Sequence, residues 1–178
     1  WASGFTGTGQ TVAILDTGVD STHPALNGGK VVSEACFSTN DGGNNASTVC
    51  PGGVTSSTAA GSGANCAAGV DGCDHGTHVA GIAAGRPVTL ADGRTISGVA
   101  RNANVIAIQV FSRIDSVSGC GTDPSPCVRT FSSDQISALE RVQTLAQMTD
   151  GGGNPVFRIA AVNMSLGGGT NMSNCDGD

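Results

Sequence analysis

The sequence predicts an α/β fold in which a central, mostly parallel sheet is flanked by helices. Three observations carry that prediction. Short continuous apolar runs at Thr11–Leu15, Asn104–Phe111 and Val156–Met164 are stopped by Asp, Gly or Ser, the pattern of parallel strands buried on both faces. Stretches with helical start and stop signals lie between them, opening at His75 and at Ser132. The resulting order of strand, helix and strand implies right-handed crossovers and a parallel sheet.

A chain of 178 residues is long enough for one domain with a real core and too short for two comfortable ones. Glycine is abundant at 28 residues and tyrosine is absent, so the core must come from Val, Ile, Leu and Ala. The net charge of −6, with Lys30 as the single lysine, offers no basic stripe for displacing counterions and argues against a nucleic-acid partner. No apolar run approaches the roughly 20 residues of a membrane span. Seven cysteines point to a disulfide-permissive, secreted setting, and their odd number leaves one over. The sequence opens at Trp1 without a Met or signal peptide, so its start is expected to lie upstream.

Taken in order, Thr11–Leu15 is a buried strand with Asp16 at its carboxyl end, where open α/β sheets place functional groups. An acid ending a buried strand is costly without a partner. Ser21-Thr22-His23-Pro24 is a turn, and His23 reads as structural. Lys30–Cys36 is a short second strand. Residues 38–72 are rich in Gly, Ser, Asn and Thr without periodicity, a length that needs a reason inside a compact domain. Cys36, Cys50, Cys66 and Cys73 supply one. They allow three pairings, with Cys50–Cys66 and Cys36–Cys73 preferred.

His75 opens a helix in which Val79 and Ile82 follow at i+4 and i+7, predicting one inward stripe. Gly76, Ala80, Gly81, Ala83 and Ala84 would let that helix lie close to its neighbours, and Gly85-Arg86-Pro87 ends it. Asn104–Phe111 is a central strand, and Cys120 and Cys127 flank two prolines at a spacing suited to a local disulfide. Ser132-Ser133-Asp134-Gln135 matches a capping box, and the helix it opens runs to about Met148, burying Ile136, Leu139, Val142 and Leu145. Gly151-Gly152-Gly153 ends it. Val156–Met164 is a further buried strand that closes on Ser165-Leu166-Gly167-Gly168-Gly169.

Three readings of the polar residues compete. Asp16 and His75 can form an acid–imidazole pair, the Asp fixing the tautomer and stabilising the imidazolium formed when the other ring nitrogen takes a proton from a nucleophile. A helix N-terminus disfavours an imidazolium, so a His kept there for chemistry needs such a carboxylate. Asp16-Thr17-Gly18 also occurs in aspartic proteases, but that chemistry needs a second Asp-Thr-Gly or Asp-Ser-Gly, which the sequence lacks. A metal site at His75 and His78 with Asp74 or Cys73 departs from the zinc-helix spacing of i, i+4 and has no Glu beside the first His. His78 then reads as a buried structural histidine.

Val12-Ala13-Ile14-Leu15-Asp16-Thr17-Gly18-Val19, His75-Gly76-Thr77-His78-Val79-Ala80-Gly81 and Asn163-Met164-Ser165-Leu166-Gly167-Gly168 together resemble the subtilisin family of serine endopeptidases (subtilases, peptidase S8). The three motifs stand in the family's order and span nearly the whole chain. The order Asp, His, Ser is subtilisin's own and comes with the resemblance rather than from spacing. The resemblance implies a subtilisin-like three-layer fold, with Asp16 as triad acid and His75 as general base. It makes Ser165, Leu166 and Gly167 the edge segment that pairs with an extended substrate and walls the S1 pocket. Phe131 and Ile136 would line an outer subsite.

Two departures shape the expectation. The family's nucleophile motif, Gly-Thr-Ser-Met-Ala, and its oxyanion Asn segment are absent from residues 1–178; Gly169-Thr170-Asn171-Met172-Ser173 only echoes the former. Residues 1–178 are therefore expected to be the N-terminal portion of one catalytic domain, incomplete at the C-terminus and inactive alone. The partners would be polypeptide substrates and the remainder of the same domain, with Cys175 unpaired. No cofactor is required. Room for a structural calcium exists, but Ala25 stands where many relatives carry a calcium-binding Asp, and the usual loop after the His helix is missing. The rival is a non-catalytic peptide-binding module that keeps the substrate edge.

Overall fold

The apolar run after Gln10 forms β1 (Thr11–Asp16), an inner strand of a five-stranded sheet in the computed structural model, which describes residues 4–167. The chain continues through β2 (Val31–Phe37), β3 (Ala46–Thr48) and β4 (Ser56–Ser57) to α1 (His75–Ala84). A small hairpin of β5 (Val88–Thr89) and β6 (Thr95–Ile96) precedes β7 (Asn104–Gln109) and β8 (Phe111–Ile114). The short α2 (Val117–Cys120), β9 (Cys127–Thr130), α3 (Ser132–Ala146) and β10 (Ile159–Asn163) complete the described elements. The main sheet has the order β10-β1-β7-β2-β4, parallel except for β4. β3, β8 and β9 make a separate antiparallel sheet.

Alternation along the central strands sends their side chains into two cores. Ala13, Leu15, Ile106 and Ile108 pack against Ala138, Val142 and Leu145 of α3. Ile14, Val105 and Ala107 pack against Ala80 and Ala84 of α1 on the other face. The predicted three layers are therefore present. No helix among the described residues is long and apolar enough to cross a membrane.

The Cys120–Cys127 disulfide forms as expected, but the other two differ: Cys36 pairs with Cys50 and Cys66 with Cys73, in place of Cys50–Cys66 and Cys36–Cys73. The reason lies in the short strands within residues 38–72. β3 pairs with β8, and the Val49 N–H donates to Ser38 Oγ, which carries Cys50 back to the end of β2. That leaves Cys66 and Cys73 to close the turn before α1, where they pack with Val70 and Val128. Cys175 and the 168–173 stretch lie outside the described residues.

The inward stripe of α1 also differs from the one expected. Gly76, Ala80 and Ala84 are its buried residues, while Ile82 is exposed and Val79 half-buried. The helix lies so close to β1 that only glycine and alanine fit between them. His78 is exposed rather than buried. In α3, Val142 and Leu145 are buried as predicted, whereas Ile136 and Leu139 face solvent and Ala138 takes the core position. The capping box does not form: the helix starts at Ser132, and the preceding Phe131 makes no side-chain capping bond. β10 is less buried than its composition suggests, with Ala160, Ala161 and Val162 exposed, because it is the edge strand among the described residues.

Candidate active site

Parallel pairing of β1 with β7 and β10 fixes the level at which each strand ends. Asp16 ends β1, and the chain leaves β10 at the same end of the sheet through Met164 and Ser165. α1 starts directly over this end. Its approach depends on Gly76: a Cβ there would overlap the Gly18 carbonyl oxygen and lie 3.1 Å from Asp16 Oδ1. Gly18 itself has φ +88°, and a side chain on it would run into the backbone of Ala64. Both glycines are required by close approach rather than by loop flexibility.

Three side chains that sequence reasoning left without a role tie these ends together. Thr17 Oγ1 accepts from the Gly76 N–H at 2.9 Å and donates to the Cys73 carbonyl at 3.3 Å, bracketing the first turn of α1. Gln109 Nε2 donates to the Thr17 carbonyl at 2.7 Å, while its Oε1 accepts from the Phe111 N–H at 2.6 Å. Thr77 Oγ1 accepts from the Asp20 N–H at 2.8 Å. A polar Gln within the buried run Val105–Val110 is the sequence signal that could have revealed the second of these.

Asp16 is fully buried. Its Oδ1 accepts from the Thr17 N–H at 2.7 Å and lies 2.8 Å from His75 Nδ1. A carboxylate only accepts, so Nδ1 carries the proton and Nε2 is left as the acceptor. Asp16 Oδ2 is buried without a partner among the described residues, which makes the imidazole contact the main compensation for burying this acid. The His75 side chain is 46% exposed, and among the described residues nothing hydrogen-bonds Nε2. The pair thus presents a basic nitrogen to solvent from a rigid base.

The alternative metal grouping is not assembled: Cys73 is in a disulfide, His75 faces Asp16, and no three His, Cys, Asp or Glu residues among those described could hold an ion. Residues 165–167 behave differently from the strand before them. They make no backbone hydrogen bonds with other described residues, and Asn163 Nδ2 donates to Ser165 Oγ at 3.0 Å. A cavity of about 670 Å³ adjoins them, lined by Phe111, Asp123, Val128, Arg129, Thr130 and Gln135 together with Leu166 and Gly167. Phe131 and Ile136 are not part of this lining. Phe131 packs beneath the Cys120–Cys127 disulfide instead.

Comparison with known proteins matches this geometry to a family. The chain is 28% identical over 172 residues to alkaline serine exoprotease A of Vibrio alginolyticus, covering 97% of this chain and 24% of that protein. It is 36% identical over 114 residues to the thermophilic serine proteinase of Bacillus sp. (strain AK1), covering 64% of this chain and 20% of that protein. The chain thus spans about a quarter or less of the length of these relatives. Residues 7–176 match the sequence profile described as the subtilase family, peptidase S8. With its buried Asp, its helix-opening His and its parallel sheet, the chain belongs to the subtilase family.

Proposed function

We propose that the protein to which residues 1–178 belong is a secreted serine endopeptidase, in which this chain supplies the acid and the general base of the triad. The carrying observation is the 2.8 Å contact from Asp16 Oδ1 to His75 Nδ1, with Nε2 left open to solvent. In the proposed reaction a serine supplied from beyond these residues attacks the peptide carbonyl. His75 Nε2 takes its proton and later returns one to the leaving amine. Asp16 holds the imidazole in the required tautomer and stabilises the imidazolium formed on the way to the acyl-enzyme. No cofactor takes part in these steps.

The substrate is a polypeptide lying extended along Ser165, Leu166 and Gly167. The open backbone groups of this segment suit strand addition, and the neighbouring cavity can receive a side chain of the bound peptide. Three disulfides support an extracellular protein, and the net charge of −6 favours peptides over nucleic acid as its substrate. The proposed domain continues beyond residue 178, and its remainder is the partner that completes the site.

The test is peptide hydrolysis by the intact protein and by residues 1–178 alone. The intact protein should cleave a chromogenic peptide and be blocked by a serine-directed inhibitor, and the isolated 1–178 chain should be inert. His75→Ala in the intact protein should lower kcat about 10⁶-fold and Asp16→Ala about 10⁴-fold, the magnitudes of the corresponding losses in subtilisin. Serine-inhibitor-sensitive cleavage by residues 1–178 alone would refute the division of the triad. Peptide binding by the intact protein without turnover would support the non-catalytic module instead.

A further inference from the structure

We propose that a cavity at the amino ends of the central strands binds a small doubly charged oxyanion of the phosphate or sulfate class. The cavity measures about 440 Å³ and is lined by Thr8, Lys30, Arg86, Arg101, Asn102 and Asn104 around the Gly28-Gly29 turn, with no Asp or Glu among the described residues that line it. It therefore gathers three of the eight Lys and Arg residues of a chain whose net charge is −6. Thr8 precedes β1, Lys30 precedes β2 and Asn104 opens β7, so the cavity lies at the opposite end of the sheet from Asp16 and His75.

Arg86 is the decisive residue. Arg94, Arg113 and Arg129 each pair with a neighbouring carboxylate, on Asp92, Asp115 and Asp123. The Arg86 side chain has no hydrogen-bond or ion-pair partner among the described residues, and its Nε is buried. Its terminal Nη groups, which lie beside Gly28 at the cavity, are therefore donors open to an acceptor supplied from solution. The Gly28-Gly29 turn, with φ +65° and +78°, lets the guanidinium lie against bare backbone; a Cβ on Gly28 would sit 2.9 Å from Arg86 Nη1.

Lys30 faces the same space from a fixed position. It is buried, and Nζ donates to the Arg101 carbonyl at 2.8 Å and the Ala103 carbonyl at 2.7 Å, two of the three bonds an ammonium can give. Burial, and after it the nearby Arg86 charge, push its pKa down from the usual lysine value. Two cations held close together, with no described carboxylate lining the cavity, repel one another, and an anion between them relieves that repulsion. A guanidinium fork beside an anchored ammonium is the donor set that a tetrahedral oxyanion takes up.

Calorimetric titration of the intact protein with sodium phosphate, and separately with sodium sulfate, tests this against chloride at matched ionic strength. Saturable one-site binding of phosphate or sulfate is expected. Arg86→Gln should weaken it about tenfold or more, as expected for losing a charge-assisted contact. Arg94→Gln, outside the cavity lining and already paired with Asp92, should leave affinity within about twofold. Heats that do not saturate or that match chloride, or an Arg86→Gln variant that binds as well as the parent, would overturn the proposal. Should Arg86→Gln fail to fold, a rise in the parent's Tm that saturates with phosphate but not with chloride decides the matter, and its absence refutes the site. None of these readouts needs peptide hydrolysis, so this proposal and the triad reading fail separately.

Discussion

The two helices that cover the sheet do different jobs, and their packing residues say which. α3 fills its side of the sheet with Val142 and Leu145, the ordinary way for a helix to stabilise a parallel sheet. α1 fully buries only Gly76, Ala80 and Ala84, with Val79 and Ala83 half-buried beside them, a face that contributes little apolar area but brings its axis against β1. What this closeness secures is position: the first residue of α1 meets the last residue of β1 at 2.8 Å. A helix can therefore be tuned for distance rather than for buried area, and the contrast with α3 makes that testable.

Of substitutions on the two helix faces, Gly76→Ala should disturb the Asp16–His75 contact most. Alanine in a helix is normally favoured over glycine by about 0.5–1 kcal/mol, so any loss must come from packing. Here the new methyl would overlap the Gly18 carbonyl and crowd Asp16, forcing α1 outward. A loss of about 1–3 kcal/mol in urea unfolding is expected, the usual cost of overpacking. If the proposed triad is right, kcat of the intact protein should fall about 10²-fold per folded molecule as His75 is displaced. Leu145→Ala on α3 should cost about 2–5 kcal/mol of stability while leaving the intact protein's kcat per folded molecule, on the same proposal, within about twofold. If Leu145→Ala lowers kcat as much as Gly76→Ala does, the contrast between the helices is wrong.

The same contrast explains what could be read from the sequence. β1 and β7 were legible because both their faces are buried, so their apolar runs are continuous. α1 is legible as a helix but its buried face is not: Val79 and Ile82 suggest the stripe, yet a helix pressed against a strand buries its smallest residues. β10 looked like β1 in composition and proved to be an edge, a difference that depends on neighbours rather than on the strand's own residues. Disulfide pairing was illegible because it follows from β3 pairing with β8, across more than sixty residues of sequence. Asp16 and His75 stood out because an acid ending a buried strand and a histidine opening a helix are each costly alone. Thr17 and Gln109, which hold that pair in place, bond mainly to backbone, and a bond to backbone leaves no complementary residue to notice.

The helix starts offer the smallest but sharpest test. At the start of α3, Asp134 is only 8% exposed and accepts from Thr39 Oγ1 at 2.9 Å. Burial pushes its carboxyl above the usual aspartate value, and the Thr39 bond only partly opposes this. The folded chain therefore keeps this proton to a higher pH than the unfolded chain does. Between the two values it binds more protons, so this group's contribution to stability is full below the ordinary aspartate range and is lost as pH rises through the folded value. Asp134→Asn removes that dependence while keeping an acceptor for Thr39. Its unfolding free energy should change by less than about 1 kcal/mol at neutral pH, since a charge in the first turn of a helix carries a favourable dipole term of similar size. The informative quantity is the slope. The parent should lose stability relative to Asp134→Asn as pH rises from about 4, the ordinary range of an aspartate. A difference that grows in the parent's favour would mean that the helix start, and not burial, governs this acid, making it a closer counterpart of the Asp16–His75 junction than its packing suggests.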